Sequence, residues 1–361
     1  MMLLRESLAF DLRVVVTGMH LAAEFGSTVE EVERSFPVAA RVPILQDGDD
    51  AGSAAKAFGH AAIGLGDAFR SLAPDLVMLL GDRYEIAAAG AAAHLMQRPI
   101  AHLCGGDVTE GAIDDAMRHA LTKLSQLHFV STETAGRRVR QLGEQEDRIF
   151  VVGSPGIDAI ARATIPSRDE FFVAVEFAPR ATNLLVTFHP TTLGADANEG
   201  VDELLMALDS LGPDTGLLFT SPNVDPSGRA ILRRIEEFVA THRNAQLVKS
   251  LGHQLYYAAV KHCDAVVGNS SSGLYEAPTL KRATVNIGDR QRGRERAASV
   301  IDCAPRTEAI KEAIQTALRL DCSGVTNPYG DGRSSEKIVE QLERVPDFQA
   351  LLRKRFVDLR S

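Results

Sequence analysis

Short apolar runs, each closed by a glycine-rich or polar turn, recur along the whole chain and alternate with amphipathic stretches. The first half holds runs at 12–16, 76–80, 100–104, 127–130 and 149–152. The second half holds them at 184–188, 217–219, 246–248, 265–267 and 284–287. Runs that are apolar on both faces and separated by helical periodicity predict parallel strands covered by helices on both sides. The rhythm breaks between 162 and 183, where Pro166 and Pro179 bracket a charged, Phe-rich piece. That break predicts two α/β lobes of about five strands each, 1–165 and 166–345, with a last helix over 347–359 packing back on the first lobe.

Ligands in open parallel sheets sit beyond the carboxyl ends of the strands, so the residues after each run carry the functional information. They read Gly81-Asp82-Arg83-Tyr84-Glu85, Gly105-Gly106-Asp107, Gly153-Ser154-Pro155-Gly156, His189-Pro190-Thr191-Thr192, Ser221-Pro222-Asn223, Gly268-Asn269-Ser270-Ser271-Ser272-Gly273 and Gly288-Asp289-Arg290-Gln291. Polar residues end nearly every strand, and the cleft between two such lobes is the expected active site.

At 361 residues, two lobes are the natural expectation. The net charge of −9 is spread without a basic block, which excludes a nucleic-acid surface built on clustered Lys and Arg. Four cysteines, Cys104, Cys263, Cys303 and Cys322, stand far apart with no ligand spacing, so a reduced, metal-free, cytoplasmic protein is expected. Arg5 and Glu6 interrupt the opening where a signal peptide needs an apolar core. No apolar run reaches the ~20 residues needed to span a bilayer. The chain also lacks a complete GxGxxG fingerprint, a P-loop, an HExxH pair and a serine nucleophile elbow.

Four constellations carry candidate chemistry. The stretch Gly268–Gly273 reads as a turn into a Ser-rich helix start, where free N–H groups and the hydroxyls of Ser270, Ser271 and Ser272 suit a diphosphate; an ordinary capped helix has the same spelling. Glu276, one turn on, suits the two hydroxyls of a ribose, and Arg290 after the next strand supplies a cation. Asp82 ends a strand as a carboxylate aimed at the cleft or as a helix cap. Asp114 and Arg118, spaced i,i+4 in the densest polar cluster, share a helix face, a spacing equally usual for solvated surface pairs. His189 stands at a strand end before Pro190. His119, His128 and His253 read as structural or peripheral.

The pieces GDRYE at 81–85, HLCGGDVTEGAIDDAMRHALTKLSQLHF at 102–129, VGSPGID at 152–158, TFHPTTL at 187–193, GNSSSGLYEAP at 268–278 and NIGDRQRGR at 286–294 together resemble the UDP-N-acetylglucosamine 2-epimerases, above all their hydrolysing branch. The resemblance covers both lobes in order. It implies two Rossmann-like lobes in a GT-B arrangement, no cofactor and no catalytic metal. The partner it implies is a UDP-sugar, and the chain a homo-oligomer, dimer or tetramer. It places Asp82, Asp114, Arg118 and His189 in the catalytic cleft and Asn223, Ser270, Ser271, Glu276 and Arg290 around the nucleotide. The implied reaction eliminates UDP as C2 is deprotonated, adds water at C1 and returns a proton to the opposite face of C2. The alternatives are a non-hydrolysing epimerase, a GT-B glycosyltransferase and an inactive sugar-nucleotide-binding protein.

Two departures from the family stand out. Some members of the family carry a glutamate two residues after the strand histidine, where this chain has Cys104, which puts Asp107 or Glu110 forward as its replacement, or else a different substrate. At the amino end, 3–10 reads as the tail of a first helix. The family's preceding strand and Arg-bearing loop have no counterpart, which predicts weak UDP binding by this form and better binding by an extended one.

Overall fold

The computed structural model describes residues 1–21, 29–44, 51–109, 113–190, 200–222, 226–248 and 251–358. Two compact units emerge, one made of Met1–Pro155 with Arg333–Ser361 and the other of Gly156–Gly332. The divisions therefore fall after Pro155 and Gly332 rather than at 165/166 and 345/346.

In the first unit, β1 (Val14–Thr17) pairs in parallel with β2 (Val38–Val42). A second parallel sheet runs in the order β3 (Val77–Leu80), β4 (Ile100–Leu103), β5 (Leu127–Val130), β6 (Ile149–Val151). Both faces of β4 and β5 are buried, as their mostly apolar runs require, with His102 and His128 the polar residues among them. On one face, the helices Ala51–Leu72 and Tyr84–Leu95 close a core around Leu65, Phe69, Leu79 and Ile100. The Ala-rich helix Tyr84–Leu95 packs tightly on Ile113–Leu124: a Cβ on Gly90 would lie 2.4 Å from Leu121 Cδ2. On the other face, Leu103, Phe129 and Val152 meet Leu4 from helix Met2–Glu6 and Ile338 and Leu342 from helix Ser334–Glu343.

The second unit holds one six-stranded parallel sheet of β7 (Thr182–Thr187), β8 (Thr215–Thr220), β9 (Ala245–Val248), β10 (Ala265–Gly268), β11 (Ala283–Ile287) and β12 (Val300–Cys303). Its order, β12-β11-β10-β7-β8-β9, is that of a dinucleotide-binding fold, and the strand order reverses between β7 and β10. Apolar clusters around Leu184, Phe219 and Ile310 on one face, and around Phe171, Leu218 and Val266 on the other, complete its layers.

Three details differ from the sequence expectation. Each unit carries six strands among the described residues. The two unforeseen ones are β2, where exposure alternates, and β12, a half-exposed edge containing Asp302; neither has the continuous apolar run that marks the others. The expected last helix is a short turn, Gln349–Leu352, followed over 353–358 by chain without regular secondary structure. Its polar groups are satisfied by the first unit instead: Arg148 Nη1 donates to Leu351 O at 2.7 Å and Val357 N to Gly143 O at 3.0 Å. Among the described residues no helix is long and apolar enough to cross a membrane.

Candidate active site

In the first unit, the ends of β3 and β4 and the start of helix Ile113–Leu124 meet at Arg118. Its side chain is only 8% exposed. Its guanidinium donates to the Asp82 carboxylate, to Asp115 Oδ1 at 3.1 Å, to Thr109 Oγ1 at 3.1 Å and to the carbonyl of Asp107 at 2.8 Å. A planar fork with five donors suits this convergence, since each bond has its own direction. The expected i,i+4 partnership with Asp114 is thus replaced: the helical partner is Asp115, at i,i+3. Asp115 Oδ1 also accepts from Thr109 N at 2.6 Å, which ties the loop after β4 to the helix.

Asp114, beside this pair, has a carboxyl raised above its ordinary value. Burial is the main cause and the nearby Asp82 charge the next, with Arg83 and Arg118 pulling the other way. Asp107 points its carboxylate at Ser131, whose hydroxyl donates at 3.2 Å. Glu110 lies outside the described residues.

Cys104 follows β4 with φ +62°, a left-handed conformation that costs an L-residue about 1–2 kcal/mol. Burial pushes its thiol up to about 12, so it is a neutral group at the site and no substitute for a carboxylate. His102 of β4 is buried and its Nε2 lies 3.2 Å from Gly81 O, linking β4 to the turn after β3.

In the second unit, a pocket of about 720 Å³ is lined by Ser221, Leu251, His253, Tyr256, Tyr257 and Glu276, among others. His253, expected to be peripheral, is one of its walls. Glu276 has its carboxyl raised chiefly by burial, and among the described residues its Oε2 is buried without a hydrogen-bond partner. A buried acceptor left open in this way fits a ligand hydroxyl donor. Ser272 is held by Tyr256, whose phenol donates to its Oγ at 2.5 Å.

The helix expected after β10 is a single turn, Ser272–Tyr275, and Glu276 lies just past its end. Gly273 N is occupied by Ser270 O at 3.2 Å. Ser270, Ser271 and Arg290 are the candidate groups for an anion, with Arg290 Nη1 donating to Asn269 O at 3.1 Å and Ser270 Oγ accepting from Ser272 N at 3.4 Å. His189 follows β7 and is held through its backbone by Asn269. Asn223 lies outside the described residues.

The sequence reading missed Asp115, Thr109, Ser131, Asn269 and Tyr256. Asp115 was signalled by its i,i+3 spacing to Arg118; the partner of Ser131 was hidden by the 24 residues that separate it from Asp107.

A family model described as UDP-N-acetylglucosamine 2-epimerase matches residues 3–343. The chain belongs to that family. It is 36% identical, over 97% of its length and 92% of the other's, to the GDP/UDP-N,N'-diacetylbacillosamine 2-epimerase (hydrolyzing) of Campylobacter jejuni. It is 35% identical, over 97% and 93%, to the UDP-N,N'-diacetylbacillosamine 2-epimerase (hydrolyzing) of Legionella pneumophila. The crystal structure of UDP-GlcNAc 2-epimerase from Neisseria meningitidis bound to UDP-GlcNAc matches with a TM-score of 0.78 at 18% identity, covering 95% of each chain. Members of this epimerase family share the fold class expected from the sequence, α/β with two Rossmann-like lobes of the GT-B kind.

Proposed function

We propose that this chain is a hydrolysing sugar-nucleotide 2-epimerase that converts a UDP-linked 2-acetamido sugar into the free manno-configured sugar and UDP. The carrying observation is the pair of unlike carboxyls in the first unit. Asp82 is clamped by Arg118, and beside it Asp114 has a raised pKa. A carboxyl whose proton affinity is raised by burial, next to a second carboxylate fixed by a guanidinium, is an arrangement that can move a proton both off and onto carbon. The relatives named as hydrolysing diacetylbacillosamine 2-epimerases support a 2,4-diacetamido-trideoxy sugar over UDP-GlcNAc.

In this reading Asp114 exchanges the C2 proton while the C1–O bond to UDP breaks, leaving an unsaturated 2-acetamidoglucal. Water then adds at C1 and a proton returns to the opposite face of C2. Asp82 and Asp107 orient and activate the groups around that carbon, and Arg118 fixes both through one guanidinium. In the second unit, Glu276 accepts from the ribose hydroxyls, and Ser270, Ser271 and Arg290 stabilise the leaving diphosphate. His189 acts beside the diphosphate at the strand reversal. No nicotinamide is needed, because the proton leaves and returns without a change in oxidation state.

Incubation with UDP-diacetylbacillosamine in deuterated water tests this. UDP and a sugar deuterated at C2 should appear without added NAD. An unlabelled product, or a strict NAD requirement, overturns the proposal.

A further inference from the structure

The sheet of the second unit reverses its strand order between β7 and β10, and ligands of such folds bind beyond the carboxyl ends of the strands at such a reversal. Their last ladder pair is Thr187 with Gly268. One residue further on, a side chain continues the pairing. Asn269 Oδ1 accepts from His189 N at 2.7 Å, and Asn269 Nδ2 donates to His189 O at 2.8 Å. The amide thus imitates a third strand residue, bonding both backbone groups of His189 at once. Its orientation is fixed, since only the oxygen can face an N–H and only the nitrogen a carbonyl.

The neighbouring contacts make the arrangement rigid. Gly268 adopts φ +140°, and a Cβ there would sit 1.8 Å from Thr187 O, so glycine alone lets the strand ends close this far. Asn269 N donates to the same Thr187 O at 3.2 Å. The main-chain carbonyl of Asn269 takes Arg290 Nη1 at 3.1 Å and Gln291 Nε2 at 2.9 Å, drawing in the exit of β11. Asn269 is 1% exposed and Gln291 2%. Hydrogen bonds so deeply buried are costly to leave half made.

We propose that Asn269 is a positioning residue that sets the backbone of His189 through its side chain, and the guanidinium of Arg290 through its carbonyl. The two functions are separable. A change of side chain releases His189, while the carbonyl that receives Arg290 and Gln291 stays. Asn269→Asp is the sharpest change: it keeps volume and the bond from His189 N, and it sets a carboxylate oxygen against His189 O. This inference rests on the epimerase reading for its kinetic consequence, though not for its geometry.

The test is a double-mutant cycle of Asn269→Asp with His189→Ala, read by turnover and UDP affinity and accompanied by NMR of histidine-labelled protein. Asn269→Asp should lower kcat roughly 10²-fold, as a misplaced group does, while the Kd for UDP stays within about threefold. The double variant should turn over no more slowly than His189→Ala alone, and the His189 ring resonances should shift in Asn269→Asp. Additive losses, or lost UDP affinity with intact kcat, overturn the proposal. If His189→Ala turns over like wild type, the role given to His189 in the reaction fails. The NMR arm still decides the clasp, which is wrong if the His189 resonances do not move.

Discussion

Arg118 and Asp82 meet across 36 residues of sequence, and the carboxylate at the end of β3 takes its place from a guanidinium on the helix after β4. The same guanidinium holds Asp115, Thr109 and the Asp107 carbonyl, so one residue sets the geometry of the whole cluster. Arg118→Lys keeps the charge and loses the fork. It should lower turnover by roughly 10²-fold or more, with UDP affinity nearly unchanged, because a small misplacement of reacting groups costs about that much. Asp82→Asn should cost about 10²–10⁴-fold, the range for a lost proton-transfer group. Steady-state kinetics beside UDP titration checks both. Loss of UDP binding in either variant would move these residues to the nucleotide.

Arg83 offers a way to shift Asp114 without touching it. Its positive charge is among the influences that lower the Asp114 carboxyl, while burial, Asp82 and Glu85 raise it. Arg83 Nε also donates to Glu85 Oε1 at 2.9 Å, so removing it uncovers a second negative charge. Arg83→Met should therefore raise Asp114 further, and the Asp114 limb of the pH–rate profile should move to higher pH. A limb that stays in place, or moves down, assigns it to another group.

Glu276 should read the ribose. Among the described residues its buried Oε2 has no hydrogen-bond partner, and Glu276 lines a pocket with His253 and Ser221 in its wall. A hydrogen bond to a charged group contributes about 1.5–3 kcal/mol, so Glu276→Gln should weaken UDP by roughly tenfold or more. The wild type should bind 2′-deoxy-UDP about as poorly. Calorimetry on these pairs is the measurement, and equal affinities throughout would place the ribose elsewhere.

Most of the sheet framework was legible because parallel strands buried on both faces are largely apolar, as 184–186 and 265–268 are. The edges were not: β12 carries Asp302 on an exposed position and so breaks the pattern that marks a strand. Strand-end logic pointed to Asp82, His189 and Glu276. It could not show that Arg118 chooses Asp115 over Asp114, because i,i+3 and i,i+4 spacings are equally permitted on a helix and the choice is made by Thr109 and Asp82 from other elements. The Ser-rich turn after β10 reads as a helix start, yet the helix closes after one turn at Tyr275, ahead of Pro278.

Acid should destabilise the first unit through His102. Burial lowers this imidazole from 6.5 to about 4, against the raising effect of its bond to Gly81 O. The unfolded chain takes up the proton first, so stability is full above pH 6.5 and declines as pH falls toward 4, by up to about 3 kcal/mol. His102→Gln should lose less stability than wild type between pH 7 and 5. Urea unfolding at the two pH values gives the comparison, and equal losses would remove His102 from the account.

The strap at the carboxyl end should depend on one buried carboxylate. Glu144, whose side chain is fully buried, accepts from His128 Nε2 at 3.0 Å, Lys123 Nζ at 2.5 Å and Lys354 Nζ at 2.7 Å. Burial alone would raise its pKa, yet the three donors outweigh that and bring it down to about 2. A carboxyl depressed in the fold stabilises above its unfolded value, near 4.5, and that contribution fades only as pH falls toward 2. Its window therefore lies below that of His102, and at pH 5 the Glu144 contribution should be intact. Glu144→Ala leaves His128 and two ammonium groups around an empty site, a change that costs about 3–5 kcal/mol when a buried pair is broken. Lys354→Met should cost less, because Lys123 and His128 still satisfy the carboxylate, but it should free the strap where Lys354 also donates to Ser125 O at 2.7 Å. Limited proteolysis should then cut within 347–358 in Lys354→Met while the rest of the chain stays resistant. A strap equally protected in both proteins would show that Arg148, through Leu351 and Arg353, is sufficient to hold it.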